Sequence, residues 1–326
     1  MRTVVYDIAL TTRFRGITRR QGVLLEGPAG WAEWSPFPEY EDAEAAAWLR
    51  AAREAATQGH PPALRREVPV NAIVPALSPA AAGDRVRASG CTTAKVKVAE
   101  PGESLDDDVA RVAAVRAALG PRGRIRVDAN GGWGVQEAAT AIGELAQFGL
   151  EYAEQPCTDI DELVELRRLL SRRGVAVPIA ADESIRRVGD PLRVRDAGAA
   201  DVAIVKVQPL GGVRRCLELA DELGMPVVVS SAVETSVGLR AGVALAAALP
   251  QLPYACGLET LSLLFDDVAV SPLRAHKGVL PVTGLTLDTA ALERVTADDE
   301  VAGWWLQRLE RVSALLPECS AMKEKM

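Results

Sequence analysis

Short apolar runs alternate with longer segments of helical apolar periodicity along most of the chain after residue 68. The short runs predict strands, and the longer segments predict helices that open on residues such as Ser104 and Thr158 and end at glycines. The predicted strands cover residues 70–74, 94–98, 124–128, 150–154, 177–181, 202–207, 227–230 and a last short piece near 256–258. The predicted helices cover residues 79–88, 104–119, 135–148, 158–170, 213–223 and 237–249. Such alternation requires parallel pairing with right-handed crossovers, and eight strands predict a closed (β/α)8 barrel.

The two ends of the chain do not follow this repeat. Residues 4–11, 22–26 and 31–35 read as strands and 42–56 as a helix, and a C-terminal helix carries Trp304 and Trp305. We expect that helix to pack on the N-terminal strands, because two tryptophans would otherwise form an exposed apolar patch. The fold class is therefore α/β, a modified TIM barrel with a small α+β capping domain. The expected parts are a capping domain (1–67), a barrel (68–285) and a segment returning to the capping domain (286–326).

Composition excludes several classes of function. Of the 326 residues, 48% are hydrophobic and 25% are charged, which is ordinary for a globular protein. The net charge is −7 without a basic tract, so we expect no nucleic acid partner. No uncharged apolar run is long enough to cross a membrane, and the N-terminus reads as a strand rather than a signal peptide. Scattered cysteines without a C-x-x-C predict free thiols in the cytoplasm. We read arginine pairs such as Arg19-Arg20 and Arg186-Arg187 as solvated helix faces.

Charged residues stand at the ends of five consecutive predicted strands. They are Lys97, Asp128, Glu154, Asp182 and Lys206, at steps of 31, 26, 28 and 24 residues, each about one strand–helix unit. In a (β/α)8 barrel the carboxyl ends of the strands surround the active-site mouth. The spacing therefore predicts that three carboxylates converge there, between two lysines.

Three carboxylates with added waters suit octahedral Mg²⁺. Each acid taken alone could instead bond a loop or an arginine, since structural ion pairs are common. Only His60 and His276 are present, neither of them within a helical turn of an acid, so a zinc site is not indicated. No glycine-rich nucleotide-binding motif follows any strand.

Lys95 and Lys97 alternate with Val96, so both side chains point to one face of their strand. If that face is the barrel interior, Lys95 is a second positive charge that lowers the pKa of Lys97 and makes Lys97 a usable base. The alternative is a pair of solvated lysines that point outward.

The order K-x-K, D-x-N, E-Q-P, D-E-S, K-x-Q-P resembles the enolase superfamily, specifically its muconate-lactonizing subgroup. The resemblance covers the whole chain. It implies a capping domain, a barrel, and Mg²⁺ (Mn²⁺ can substitute) bound by Asp128, Glu154 and Asp182. It also implies that a lysine removes the α-proton of a carboxylate substrate and that the metal stabilises the resulting enediolate.

Two features favour the o-succinylbenzoate synthases within this subgroup. The segments 14–26 and 31–37 look like the shortened capping domain of the actinobacterial synthases, and strand eight ends Gly257-Leu258-Glu259-Thr260 without the Asp-x-Asp typical of dipeptide epimerases. The implied reaction is syn elimination of water from 2-succinyl-6-hydroxy-2,4-cyclohexadiene-1-carboxylate. Lys97 is then base and acid, and Lys206 is a charge-stabilising cation.

The resemblance also suggests roles around the site, and for each a purely structural role stays open. Asn130 would orient a carboxylate or a metal-bound water, and Glu183 would be the partner of a lysine. Ser230, Ser231 and the backbone around Gly257 would accept the succinyl carboxylate, and Arg15 on the capping loop would close over the substrate. Three other functions remain: an N-acylamino acid racemase or dipeptide epimerase on the same residues, a Schiff-base aldolase through Lys206, and a non-catalytic barrel. We expect a small-molecule carboxylate as the partner and a monomer or small homo-oligomer.

Overall fold

A computed structural model describes residues 2–14, 16–187 and 189–317. The chain begins with an antiparallel sheet of order β1-β2-β3, covered by helix α1. These elements are β1 (Arg2–Phe14), β2 (Ile17–Gly27), β3 (Gly30–Trp34) and α1 (Asp42–Gln58). All four lie where the sequence predicts them, although β1 and β2 run further into their hairpin. The apolar face of the sheet and the alanine-rich face of α1 share one core that contains Trp34 and Trp48.

Seven parallel strands follow in consecutive order, as a (β/α) repeat requires. After the short strand β4 (Glu67–Pro69), the sheet consists of β5 (Ala72–Val74), β6 (Thr93–Lys97), β7 (Arg124–Asp128), β8 (Leu150–Glu154), β9 (Ile179–Ala181), β10 (Val202–Lys206) and β11 (Val227–Ser230). The helices between and after them are α2 (Pro79–Ser89), α3 (Leu105–Leu119), α4 (Val135–Leu145), α5 (Ile160–Arg172), α6 (Asp190–Ala197), α7 (Val213–Leu223) and α8 (Ser236–Ala248). This curled sheet confirms the predicted barrel class.

The barrel closes through only two residues of its eighth strand. Cys256 bonds one neighbour by donating to Pro69 O at 2.7 Å and accepting from Asn71 N at 3.0 Å. Gly257 bonds the other by donating its N–H to Val229 O at 2.8 Å. The predicted short strand near 256–258 is thus a pair of isolated parallel bridges.

Three boundaries differ from the prediction. The predicted start of α5 on Thr158 is wrong by one residue, because the capping box is formed by Asp159 and Glu162. The Thr158 hydroxyl donates instead to Gly131 O at 3.1 Å. The predicted helix 135–148 ends as an α-helix at Leu145 and continues as one turn of 3-10 helix. Helix α6 was not predicted, since its eight residues carry only two buried side chains.

The C-terminal part returns to the N-terminal sheet, as expected. It consists of β12 (Val279–Pro281), paired with β4, and the helices α9 (Thr289–Val295) and α10 (Asp299–Ala314). The Trp305 ring is fully buried and stands edge-on to the Trp34 ring at 5.5 Å. Trp304 remains 44% exposed, so only one of the two tryptophans joins the core. Among the described residues, no helix is both long enough and apolar enough to cross a membrane.

A buried glutamate joins the N-terminal sheet to the barrel. The Glu33 carboxylate accepts hydrogen bonds from the Tyr6 and Ser35 hydroxyls at 2.8 and 2.7 Å. Its other oxygen accepts from the backbone N–H groups of Thr235 and Gly238, both at 3.1 Å, where α8 begins. A carboxylate is favourable at a helix N-terminus because unpaired N–H groups and the helix dipole face it. Burial and the nearby Glu234 carboxylate nevertheless raise the pKa of Glu33 to about 6.

His60 follows α1 by two residues, near the positive charges of Arg214 in α7 and Arg240 in α8. Its Nδ1 atom is buried and has no hydrogen-bond partner in the part of the chain that the structure describes. Burial and the positive charges of Arg240 and Arg214 lower the pKa of His60 to about 4. The folded protein therefore keeps this imidazole neutral at pH values where an unfolded chain would protonate it.

We predict that His60 makes the protein less stable in mild acid. Because its pKa is lower in the folded than in the unfolded state, stability is lost as the pH falls from about 6.5 towards 4. Relative to His60→Gln, the wild-type unfolding free energy should fall by about 2 to 3 kcal/mol between pH 7 and pH 4. Urea titrations of both proteins at each pH measure this difference. A constant difference across that range would contradict the prediction.

Candidate active site

A cavity of about 850 Å³ opens at the carboxyl ends of the barrel strands. The sequence-predicted residues that line it are Lys95, Lys97, Asp128, Asn130, Asp182, Lys206, Ser230, Ser231 and Gly257. The N-terminal sheet and the loop after it contribute Thr12, Gly16 and Phe37 to the same walls. A concavity of similar volume, about 870 Å³, lies beside α5 and α6, away from the five strand-end charges. Of these two cavities, the one in the mouth of the barrel is therefore the candidate active site.

The three acids lie on neighbouring strands. Asp128 and Glu154 are paired residues at the ends of β7 and β8, and Asp182 comes directly after β9. All three are at least 90% buried. Three buried carboxylates this close to one another require positive charge beside them, because an unpaired buried charge is very costly.

Lys95 supplies part of that charge. Its ammonium group donates to Asp128 Oδ2 at 2.9 Å and to Glu154 Oε1 at 2.7 Å, so Lys95 points into the barrel. Burial lowers the pKa of Lys95, but Asp128, Glu154 and Asp182 together raise it well above its ordinary value. The ammonium group of Lys95 therefore neutralises the acids. These contacts do not support the expectation that Lys95 activates Lys97 as a base.

Lys206 and Arg186 neutralise the third acid. Lys206 Nζ lies 2.5 Å from both carboxylate oxygens of Asp182, and Arg186 Nη2 donates to Asp182 Oδ2 at 3.0 Å. Burial alone raises the pKa of Asp182, but the charges of Arg186, Lys206 and Lys95 hold it well below its usual range. Conversely, burial and the Asp128 and Asp182 carboxylates raise the pKa of Glu154 in spite of Lys95.

The reading of the arginine pairs as solvated faces was wrong for one member of each of two pairs. The Arg186 side chain is only 13% exposed and lines the cavity. Arg20 is fully buried, donates to Val233 O at 3.0 Å, and so helps to hold the cavity wall. Their partners Arg19 and Arg187 are exposed. The only local signal for Arg186 was its position one helical turn after Asp182.

Within the described ranges, no three His, Cys, Asp or Glu side chains stand close enough together to hold a metal ion as they are placed. Oxygens of all three strand-end acids form ion pairs with lysine ammonium groups instead. The donor chemistry still fits Mg²⁺, because three buried carboxylates are hard oxygen ligands on adjacent strands.

The remaining predicted residues differ in how they are used. Asn130 has a positive φ of 46°, its N–H donates to Asp128 Oδ1 at 3.1 Å, and its side-chain amide donates to Glu183 Oε1 at 3.3 Å. Asn130 thus links the Asp128 carboxylate to Glu183, which also accepts a hydrogen bond from Arg186 Nη2 at 2.5 Å. Arg15 lies outside the described residues.

The serines and the glycine of the opposite wall bond within the protein. The Ser231 hydroxyl lies 2.6 Å from Thr260 Oγ1, donates to Glu234, and accepts from Val233 N at 3.0 Å. The N–H of Gly257 is occupied by the barrel closure, and a Cβ at this position would meet Ser230 Oγ at 2.7 Å. Their roles in substrate binding stay predictions.

Other cavity residues were missed by the sequence reading. They include Phe37, Ile73, Thr260 and the rim loop of residues 100–103. Ile73 lies on β5 but carries no charge that would mark it, and the others reach the cavity outside the strands and α-helices, where no periodic pattern marks them.

The chain matches two family models, one described as enolase N-terminal domain-like over residues 5–56 and one as enolase C-terminal domain-like over residues 79–287. It is 60% identical over 309 residues to an o-succinylbenzoate synthase of Thermobifida fusca, covering 95% of each chain. It is 50% identical over 317 residues to an o-succinylbenzoate synthase of Mycobacterium tuberculosis, covering 97% of this chain and 94% of that one.

Solved structures share the architecture at lower identity. A muconate lactonizing enzyme of Pseudomonas putida superposes with a TM-score of 0.74 at 20% identity, over 91% of this chain and 98% of that one. An L-Ala-D/L-Glu epimerase of Bacillus subtilis gives 0.74 at 23% identity, over 88% and 96%. At this identity both support the fold and carry no information on the substrate.

We predict that Lys95 is required to keep the acids compatible with a folded barrel. In Lys95→Met, Asp128 and Glu154 lose their shared ammonium group, and the unfolding free energy should fall by about 3 to 5 kcal/mol in the presence of a chelator. The matched change Lys277→Met, at an exposed turn, should alter it by less than about 0.5 kcal/mol. Urea-induced unfolding measures both variants. Equal stability of Lys95→Met and wild type would contradict the charge-compensation argument.

Proposed function

Because the chain belongs to the enolase superfamily and, within it, to the o-succinylbenzoate synthases, we propose that Lys97 and Lys206 carry the reaction in the mouth of its barrel. The chain dehydrates 2-succinyl-6-hydroxy-2,4-cyclohexadiene-1-carboxylate to o-succinylbenzoate, a step of menaquinone biosynthesis, and is a carbon–oxygen lyase. The observation that supports the residue assignment is that one cavity contains both lysines together with Asp128 and Asp182.

We assign the proton transfers to Lys97. A neutral Lys97 amine removes the α-proton of the substrate carboxylate, and the electron pair of the broken C–H bond is delocalised onto the carboxylate as an enediolate. That pair then forms the third double bond of the aromatic ring as the C–O bond breaks, and the same ammonium group returns the proton to the departing hydroxide, which leaves as water. One group can do both because the elimination is syn, so proton and hydroxide leave from one face.

Lys206 is the proposed cation on the other side of the ring. Strands β6 and β10 are the second and sixth of the eight around the barrel, so Lys97 and Lys206 approach the cavity from opposite walls. An ammonium ion held in a dry, preorganised site stabilises the negative charge that develops in the transition state. The ammonium group of Lys206 contacts Asp182, which fixes its position in the cavity wall.

Asp128, Glu154 and Asp182 are the residues that would hold Mg²⁺, for which Mn²⁺ can substitute. When bound, the ion supplies positive charge that offsets the second negative charge of the substrate enediolate, without which the α-proton is too weakly acidic for an amine base. Lys95 contacts two of these carboxylates, and Asn130 bonds Asp128 through its backbone N–H and Glu183 through its side-chain amide. We propose Arg15, and the Ser230–Ser231 wall with Gly257, as the substrate's outer contacts.

We further propose a cytoplasmic enzyme with a small-molecule carboxylate as its partner, either a monomer or a small homo-oligomer. The buried free thiols of Cys91, Cys157, Cys216 and Cys256 support a reducing compartment. The proposed parts remain residues 1–67, 68–285 and 286–326. No observation favours the racemase, aldolase or non-catalytic alternatives.

The expected outcome of an assay for water loss is a strong dependence on both lysines. Lys97→Met should reduce kcat about 1,000-fold or more, and Lys206→Met about 100-fold, because one loses the acid–base group and the other a stabilising charge. Chelation should abolish the rate, and added Mg²⁺ should restore it. Formation of o-succinylbenzoate, followed by its aromatic absorbance, gives the measurement.

The control is Lys277→Met, which changes the same side chain at an exposed turn and should keep the wild-type rate. A Lys97→Met enzyme as fast as this control would remove Lys97 from the mechanism. A rate indifferent to chelation, combined with borohydride trapping of substrate on Lys206, would point to Schiff-base chemistry instead.

A further inference from the structure

Helix α3 carries a buried ion pair, Asp108 and Arg111, that lies outside the acid cluster in the barrel mouth. Both side chains are at most 3% exposed. Arg111 Nη1 donates to Asp108 Oδ1 at 2.8 Å, on the helical turn nearest to the carboxyl ends of the strands. A buried pair of this kind is weak support for stability, because desolvation offsets the attraction between its charges. Its contacts indicate a different role.

The pair bonds the backbone on either side of the point where β6 ends. Arg111 Nη1 donates to the carbonyl oxygen of Lys97 at 3.0 Å. Asp108 Oδ2 accepts from the backbone N–H of Ala99 at 3.0 Å. The two ionised side chains thus hold the main chain of the proposed base and of the residue two positions further on.

The backbone held in this way has an unfavourable conformation. Ala99 has a φ of 56°, in the left-handed region that residues with a Cβ rarely adopt. Such a residue persists only where its surroundings impose its conformation. The backbone N–H of Ala99 has the Asp108 carboxylate as its hydrogen-bond acceptor. Without it, the chain after Lys97 is free to relax towards an ordinary conformation, and the Lys97 backbone moves with it.

The guanidinium group of Arg111 bonds two further segments of the chain. Its Nε donates to Leu77 O at 2.8 Å, in the loop after β5, and its Nη2 donates to Glu103 Oε2 on the cavity rim. Ala99 in turn lies against the turn that follows Asp128, since a Cβ on Gly132 would meet the Ala99 Cβ at 2.8 Å. Arg111 therefore ties the strand end at Lys97, the rim loop and the first metal-ligand loop into one rigid unit.

We propose that Asp108 and Arg111 are positioning residues that set the direction of the Lys97 amine. The inference rests on the proposed function of Lys97 as the base and deepens it. Proton transfer depends steeply on the distance between base and proton, and a misplacement of about 1 Å costs roughly 100-fold in rate. Substrate binding depends on many cavity contacts and is affected less. Loss of the pair should therefore reduce kcat much more than it changes KM.

Arg116 on the same helix provides a matched control. Its guanidinium also bonds backbone carbonyls, those of Gly120, Gly123 and Phe148, at 2.6 to 3.0 Å. These lie at the opposite end of α3, away from the cavity. Loss of Arg116 tests what an arginine tether on this helix contributes to stability alone.

The experiment compares Arg111→Lys, Asp108→Asn and Arg116→Lys with wild type, using substrate and substrate deuterated at the α-carbon. Arg111→Lys and Asp108→Asn should lower kcat about 10- to 100-fold with KM changed less than about threefold. Their primary deuterium isotope effect on kcat should exceed that of wild type, because proton abstraction becomes slower relative to the other steps. Arg116→Lys should keep the wild-type kcat and isotope effect. Thermal unfolding with Mg²⁺ confirms that each variant is folded.

Two results would overturn the proposal. Arg111→Lys and Asp108→Asn could match Arg116→Lys in kcat and isotope effect, or they could raise KM with kcat unchanged. If Arg111→Lys does not fold, the isosteric Asp108→Asn decides the question alone. Lys97→Met, measured in parallel, separates the two levels of inference. An active Lys97→Met removes the base itself, whereas an inactive Lys97→Met with unaffected Arg111 and Asp108 variants removes only their positioning role.

Discussion

Compensation of buried charge is the constraint on which the barrel mouth depends. Asp128, Glu154 and Asp182 are nearly inaccessible to water, and ionised carboxylates are tolerated there only beside positive charge. Lys95 and Lys206 supply it by direct contact. The acids that need this compensation are the same three that we propose as the ligands of a divalent ion, whose charge would compensate them in the same way.

Much of the fold is predictable because its signals are local. Strands β7 and β8 and helix α7 begin and end where the sequence places them, since apolar runs and closing glycines mark their ends. The elements that were missed or misplaced also have local causes. Helix α6 is too short to show an apolar helical period. The eighth strand consists of two bridging residues, and no sequence pattern marks so short an element. The start of α5 was misplaced because two acidic residues can each complete a capping box there.

Some residues of the candidate site could likewise be predicted from the sequence, and others could not. Charges at strand ends follow from the (β/α) repeat, so Lys97, Asp128 and Lys206 could be found without a structure. Arg111 and Arg186 could not, because their importance comes from which backbone and carboxylate groups the tertiary fold brings to them. An arginine on a helix looks solvated by default, and only its partners show otherwise. Sequence periodicity thus locates groups on the strands, whereas the groups that hold them in place require coordinates.

The Glu33 junction has a consequence for how such proteins can be recombined. One carboxylate receives bonds from the N-terminal sheet and from the first turn of α8, and Arg20 of that sheet bonds the adjacent cavity wall at Val233. Val233 has a φ of 63°, which a β-branched residue adopts only under constraint. A chimaera that exchanges the sheet without residues 231–238 would separate donors from their acceptor. The smallest exchangeable module therefore includes both the N-terminal sheet and the loop that begins α8, although about 200 residues lie between them in the chain.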